Sequence, residues 1–263
     1  MAAIGQGTWR LRRPAEAAEA LEEGVRLGMT HVDTAELYER DSGSETLLGP
    51  IVHRHRERLF VASKVLPQNA SAKGTVAACK DSLVRLQTDH LDLYYLHWPG
   101  PHPVAETMRA LAGLKDAGWI RHVGVSNFDV AELEEAKAAL GPGVLAANQV
   151  LYHLEDRGIE SEVLPWCRRN KVAVVAYSTF AQGGWVRDPK ALQALEQVAK
   201  ETGRTARQVA LSFLIRDPSV FAIPKAESLS HVRENAGGDF DLPKDAVDRI
   251  DAVFPVQAGL RTA

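Results

Sequence analysis

The sequence predicts an α/β fold, a closed (β/α)8 TIM barrel, on three observations. Short runs rich in β-branched or aromatic residues alternate with longer amphipathic stretches, the pattern of βα units on a parallel sheet. Eight such runs can be counted along the 263 residues, and eight strands with helical connections in about 250 residues suit a closed barrel better than a doubly wound sheet. The third observation is an absence. A doubly wound dinucleotide-binding domain should carry GxGxxG between its first strand and helix, with an acidic residue about 20 positions on. Here GQG, ending at Gly7, runs into TWRLRR, so Gly5 and Gly7 are read as residues that allow a tight turn.

Taken in order, the first strand is expected at Ala3–Gly7 and its helix at Ala15–Leu27, stopped by Gly28. Strand Thr30–Asp33 precedes helix Ser44–Val52, whose start is read from Ser44, after a glycine and before Glu45. Leu59–Val65 pairs with helix Lys73–Leu86, and Leu91–His97 with Val104–Ala117, closed by Gly118. His122–Ser126 leads through Asp129, a helix opener, to Val130–Ala139, with Gly141–Pro142 beyond it. Leu145–Val150 is followed by Ile159–Asn170, and Val172–Tyr177 by two helices, Leu192–Thr202 and Ala206–Arg216, separated by Gly203 and opened again by Thr205. Val220–Pro224 is the last strand and Lys244–Phe254 the last helix, each helix being chosen for apolar residues three and four apart. No polar linker or shift in composition divides the chain, so residues 1–263 are expected to form one domain.

Composition narrows the function. At 45% hydrophobic and 25% charged the chain has enough apolar residues for a large core. A formal charge of −3 gives no general attraction to polyanions, which argues against nucleic acid as a partner. The start, MAAIGQGTWRLRRP, has no apolar segment behind a basic one, and no run of about 18 apolar residues follows. No membrane partner is expected, and the expected compartment is the cytoplasm. Cys79 and Cys167 fall in helical patterns without metal-ligand or CxxC spacing and are read as reduced, buried thiols. A closed barrel has no sheet edge to protect, so a monomer is expected.

Four polar residues stand at or just after strand ends: Asp33 and Tyr38 in HVDTAELY, Lys64 in LFVASKV and His97 in LDLYYLHW. If the strands are parallel neighbours, their C-terminal ends converge on one mouth. Each residue has an ordinary reading as well: Asp33 as a helix cap, Tyr38 as rim packing, Lys64 as a solvated strand end. Yet Lys64 is flanked by residues that want burial, and a buried ammonium needs a carboxylate, for which Asp33 on the adjacent strand is the natural partner. An ammonium near a phenol favours loss of the phenol's proton. The four therefore make sense as a relay in which Asp33 orients Lys64, Lys64 assists Tyr38, and Tyr38 protonates a carbonyl oxygen that His97 helps to hold. Metal binding is the rival use of such residues, but the nine histidines are scattered without HExxH or a His/Cys cluster, and no metal is expected. A Schiff-base lyase or aldolase working through Lys64 is the alternative enzyme, although a paired ammonium is a poor nucleophile. A nicotinamide-binding partner or sensor protein without turnover is the non-enzymatic alternative.

GMTHVDTAELY, VASKVLP, LDLYYLHW, IRHVGVSNF, NQV, AYS and IPKA, in this order and spacing, resemble the signature segments of the aldo-keto reductase family. The resemblance covers nearly the whole chain and is nearest to the short prokaryotic 2,5-diketo-D-gluconate-reductase-like members. It implies a (β/α)8 barrel, no metal, and reduction of aldehydes and ketones to alcohols by hydride from NADPH. It places the family's catalytic tetrad on Asp33, Tyr38, Lys64 and His97, with Tyr38 as general acid. It also implies that Ser126, Asn127 and Gln149 bind the nicotinamide carboxamide and that Tyr177 stacks on the ring, roles for which an amide, a hydroxyl and an aromatic face are suited.

For the adenosine end the resemblance implies Lys225 at the 2'-phosphate, with Ser228, His231, Glu234 and Asn235 nearby. His231 stands where many NADPH-preferring members have an arginine, and Ala226 where serine is common. A neutral imidazole lacks the bidentate fork of arginine, so NADPH, with Lys225 and Arg233 as its cationic contacts, is expected to be preferred over NADH more weakly, by roughly the 1.5–3 kcal/mol of one charged hydrogen bond. Trp9 and Trp98 are expected to contact substrate, with Leu37 or Trp185 beside them. The N-terminal hairpin and long C-terminal tail of larger members are expected to be reduced or missing, leaving an open pocket, broad substrate tolerance and high KM.

Overall fold

The computed structural model describes residues 1–259. Its eight strands follow one another around the sheet in chain order, every pair parallel. They are β1 (Gln6–Gly7), β2 (His31–Asp33), β3 (Phe60–Val65), β4 (Leu91–Leu96), β5 (Ile120–Ser126), β6 (Leu145–Leu151), β7 (Ala173–Tyr177) and β8 (Val220–Ala222). The sheet closes on itself: Gly5 N donates to Ala222 O at 2.7 Å, Ala222 N to Ala3 O at 2.8 Å, and Gly7 N to Pro224 O at 3.2 Å. The predicted barrel is thus the fold that forms.

Helices α1 (Pro14–Arg26), α2 (Glu36–Ser42), α3 (Ser44–His55), α4 (Ala72–Arg85), α5 (Val104–Asp116) and α6 (Val130–Leu140) connect the first six strands. The remaining helices are α7 (Val163–Asn170), α8 (Pro189–Thr202), α9 (Ala206–Leu214), α10 (Leu229–Ala236) and α11 (Lys244–Val253). Alternation along the strands sorts their side chains into two layers. Val32, Val61, Val65, Tyr94, Val125, Val150 and Val174 face outward and pack under helix residues such as Leu21, Leu48, Met108 and Leu133. Ala62, Leu93, Tyr95, Ala147, Val175 and Ile223 fill the barrel interior. Each fully buried aliphatic side chain contributes about 1.5–3 kcal/mol, so this outer layer is the main source of stability.

Local signals worked where they were chemical. Asp129 opens α6 with a capping box, accepting from Glu132 N at 2.9 Å while Glu132 accepts from Asp129 N at 2.8 Å. Thr205 and Gln208 do the same for α9. Ser44 does not cap α3; its hydroxyl donates to Thr8 O at 2.9 Å, and Gly43, in a left-handed conformation, precedes the helix. Gly5 and Gly7 serve close approach rather than a turn: a Cβ on Gly7 would lie 2.7 Å from Ile223 O, and one on Gly5 2.5 Å from His31 O. The seventh helix is shorter than expected, because Gly158–Glu160 forms a separate 3-10 turn before Val163. No helix among the described residues is long and apolar enough to cross a membrane.

Candidate active site

Lys64, next to last in β3, and Asp33, last in β2, point into the barrel at its C-terminal end. Lys64 Nζ donates to Asp33 Oδ1 at 2.5 Å and to Thr34 O at 2.7 Å. The other carboxylate oxygen, Asp33 Oδ2, accepts from Gln149 Nε2 at 2.7 Å. Lys64 and Asp33 side chains are 0% and 2% exposed. Burial pushes the Asp33 carboxyl up and the Lys64 ammonium down, and each partner opposes the shift in the other. The pair persists because two further groups, the Thr34 carbonyl and the Gln149 amide, satisfy the ions.

Tyr38 comes from α2, a helix that periodicity missed because ELYERDS has no buried face. Its anchor is Glu36, whose carboxylate accepts from Leu66 N and from Asn69 Nδ2. This ties the first turn of α2 to the end of β3 and leaves the Tyr38 ring with the Lys64 ammonium 5.0 Å from its centre. The His97 ring meets it edge-on at 5.7 Å. Burial, then the Asp33 charge and Tyr177, push the Tyr38 phenol well above the usual tyrosine range. His97, just past β4, is pushed well below the usual histidine value by burial and by Lys64, so the ring is neutral. Its Nδ1 is buried with no partner among the described residues.

Ser126, Asn127, Gln149 and Tyr177 form the opposite wall. Asn127 adopts a left-handed conformation, φ 63°, that asparagine tolerates better than most residues. Its Nδ2 donates to His97 O at 3.2 Å and to Ser126 Oγ at 3.1 Å, while its Oδ1 accepts from the Tyr177 hydroxyl at 2.7 Å. Beneath lies Tyr95, fully buried, its ring centre 5.9 Å from Lys64 Nζ. Gly124 makes room for it, since a Cβ there would come within 2.5 Å of the Tyr95 ring.

A cavity of about 580 Å³ opens over this floor, bounded by Trp9, Leu37, Tyr38, His97, Trp98 and the Ser126–Tyr177 wall, with Lys225 at its far end. Trp185 is not part of that lining, contrary to one of the two expectations for the rim. It packs behind Phe180 at 5.5 Å, and the Arg207 guanidinium lies over both rings at 4.8 Å. Ser228, His231, Glu234 and Asn235 also lie outside this cavity, at and along α10. Ser228 caps the helix, its Oγ accepting from His231 N at 3.4 Å; His231 is exposed and Asn235 buried. Arg233, expected to aid Lys225, is paired with Glu23 on α1 at 2.7 Å. Lys225 itself is paired with Glu227, which also accepts from Arg12 N at 3.1 Å.

Sequence reasoning missed Arg10, Arg12 and Arg207, all of which line the cavity, and the segment from Ser178 to Gly183 beside them. The basic run TWRLRR after the first strand was the available signal for the first two. For Arg207 it was Thr205, which as N-cap puts Arg207 in the first turn of α9 at the mouth.

Residues 3–254 match the aldo/keto reductase family. Methylglyoxal reductase YeaE of Escherichia coli (strain K12) is 41% identical, covering 98% of this chain and 92% of that protein. Glyoxal reductase of Bacillus subtilis (strain 168) is 34% identical over 95% of this chain and 88% of its own. Among solved structures, an aldo/keto reductase from Klebsiella pneumoniae in complex with NADP and acetate superposes with a TM-score of 0.92 at 39% identity, covering 99% of this chain and 95% of that one. With its sheet closed, Asp33, Lys64 and His97 at the strand ends under Tyr38 of α2, and residues 3–254 matched, the chain belongs to the aldo/keto reductase family.

Proposed function

We propose that this chain reduces small 1,2-dicarbonyl compounds, methylglyoxal and glyoxal foremost, to hydroxycarbonyls with NADPH, and that Tyr38 is the general acid. The class is that of the family, an NADP(H)-dependent oxidoreductase acting on small carbonyl substrates. The dicarbonyl preference, and a place in the prokaryotic diketogluconate- and methylglyoxal-reductase-like group, draw on the names of the relatives above. The observation that carries the mechanism is the Asp33–Lys64 ion pair buried directly under the Tyr38 ring, with neutral His97 at its edge.

The residues present suit a nicotinamide cofactor. Ser126, Asn127 and Gln149 offer both the donors and the acceptor that a carboxamide requires, and the half-buried Tyr177 ring offers a flat face beside them. Bound there, the cofactor supplies a hydride to the carbonyl carbon. The chain's own residues handle the oxygen. Tyr38 stays protonated until needed, and His97, with no acceptor at Nδ1, carries its proton on Nε2. Both donate to the carbonyl oxygen, polarising it. As negative charge grows there, Tyr38 passes its proton over, and the resulting phenolate faces the Lys64 ammonium. Asp33 and Thr34 keep Lys64 charged and in place.

Trp9, Leu37 and Trp98 would hold a small substrate by its apolar face. Lys64, wholly buried and with its amine already bonded, does not suit the Schiff-base alternative. At the adenosine end, Lys225 is the proposed 2'-phosphate contact, with Ser228, His231, Glu234 and Asn235 around the adenosine. The phosphate would take Lys225 from Glu227, which tempers the preference for NADPH. The test is consumption of NADPH and NADH with methylglyoxal, glyoxal and simple aldehydes. Turnover of the dicarbonyls with NADPH as the better cofactor is expected, and His231→Arg should widen the NADPH/NADH ratio of kcat/KM about tenfold. Absence of turnover with every carbonyl and both cofactors would end the reading.

A further inference from the structure

Gln149 stands between two parts of the site that the proposed function treats separately. It sits in β6, opposite Ser126 in the sheet register, on the wall assigned to the carboxamide. Its amide nitrogen, however, is given to Asp33 Oδ2 at 2.7 Å, across the barrel from a residue 116 positions away in sequence. Gln149 is 1% exposed, so this bond does not compete with bulk water. Asp33 is thereby held at both oxygens: Oδ1 by Lys64 and Oδ2 by Gln149. A carboxylate fixed at one oxygen only can swing about its χ2 torsion, which is broad for aspartate. The second donor removes that freedom, so that Asp33, together with the Thr34 carbonyl, keeps the Lys64 ammonium in its place under Tyr38. The floor beneath offers no substitute: Tyr95 is a polar side chain there, and its hydroxyl makes no hydrogen bond to Asp33 or Lys64.

We propose that Gln149 is a positioning residue for proton transfer, because its amide locks Asp33 and so holds Lys64 under Tyr38. One side chain then serves both ends of the reaction. With its nitrogen engaged by Asp33, Gln149 has its oxygen left as an acceptor for a carboxamide NH2 group, and since both Asn127 amide hydrogens go to His97 O and Ser126 Oγ, the Ser126 hydroxyl is the donor left for the carboxamide oxygen. The proposal rests on the reductase reading, which turnover by the unaltered protein tests by itself.

The experiment compares Gln149→Leu and Gln149→Glu with the unaltered enzyme, measuring NADPH dissociation constants by fluorescence titration and kcat at saturating NADPH from pH 5 to 9. Bound NADPH and an unchanged circular dichroism spectrum establish folding. Gln149→Leu should lose kcat by about ten- to a hundredfold at saturating cofactor, the effect of one hydrogen bond to a charged group. Gln149→Glu is the sharper case. Its carboxyl can donate to Asp33 only when protonated, and two adjoining carboxylates share a proton readily. Its kcat should therefore approach that of the unaltered enzyme at the acid end and fall as pH rises, a transition that neither the unaltered enzyme nor Gln149→Leu shows. A residue that merely binds the carboxamide would raise the NADPH dissociation constant and leave kcat at saturation, and the shape of its pH profile, unchanged. That result overturns the proposal.

Discussion

Two ionisable residues on the same strand, His31 and Asp33, lie two positions apart on β2 and face the same barrel interior, yet they live in opposite chemical worlds. Asp33, at the C-terminal end, has Lys64 on one oxygen and Gln149 on the other. His31, one layer down, is equally buried, and neither ring nitrogen has a partner among the described residues. Its neighbour is the Phe60 ring, met edge-on at 5.4 Å, and burial pushes it down to about 3, so it fills space as an uncharged aromatic. Burial is common to both ends of the barrel. What separates a charged centre from a filler is the set of partners provided for it.

The largest effect should come from the upper layer. Tyr38→Phe keeps the ring against His97 but removes the proton, and kcat/KM for methylglyoxal should fall by about 10²–10⁴ while the NADPH dissociation constant stays within a few-fold. Turnover near that of the unaltered enzyme would show that another group is the acid. Lys64→Met strips Asp33 of its counterion. Besides abolishing most activity, it should cost about 3–5 kcal/mol in urea unfolding, and a neutral result would mean that the pair is not maintained as ions.

The lower layer predicts a pH effect of definite sign. In the unfolded chain His31 takes up a proton near 6.5, whereas the folded protein resists it until about 3. The stability that depends on a neutral His31 is complete above pH 6.5 and is lost as pH falls toward 3. Between pH 7 and 5 the loss should be about 2 kcal/mol. His31→Leu should flatten that part of the stability curve, and parallel curves for the two proteins would show that His31 is paired or exposed. The smallest effect concerns the floor between the layers. Gly124→Ala drives a methyl group into the Tyr95 ring and should cost about 1–3 kcal/mol, recovered in the double variant with Tyr95→Leu. If the second change restores nothing, the crowding lies elsewhere.

How much of this was legible in the sequence depends on which force fixed each part. Strand ends were readable because apolar runs stop where the barrel opens, and Asp33, Lys64 and His97 stand at those stops. The helices with clear apolar periodicity or capping chemistry, such as α6 with Asp129 and Glu132, were equally open to view. Helix α2 was not, since it is held by the Glu36 carboxylate reaching the Leu66 amide, a contact that leaves no periodic trace. The same is true of the Gln149–Asp33 bond. Closeness to a cavity was also hard to infer: Trp185 looked like a rim residue but is turned onto Phe180 and Arg207, while Arg233 is diverted to Glu23. Long-range side-chain choices of this kind are made by the folded shape.

The attachment of α2 has a consequence for how such an enzyme changes its tastes. On the proposed reading, the groups that assist the acid are rooted in the barrel wall, whereas Tyr38 itself rides on a short external helix together with its neighbour Leu37, which lines the cavity. Substitutions at Leu37, between the anchor Glu36 and Tyr38, can thus re-cut the chamber for a bulkier or slimmer guest while the ion pair below stays untouched. The molecule separates its tool from its grip, and natural or laboratory selection can reshape one without dismantling the other.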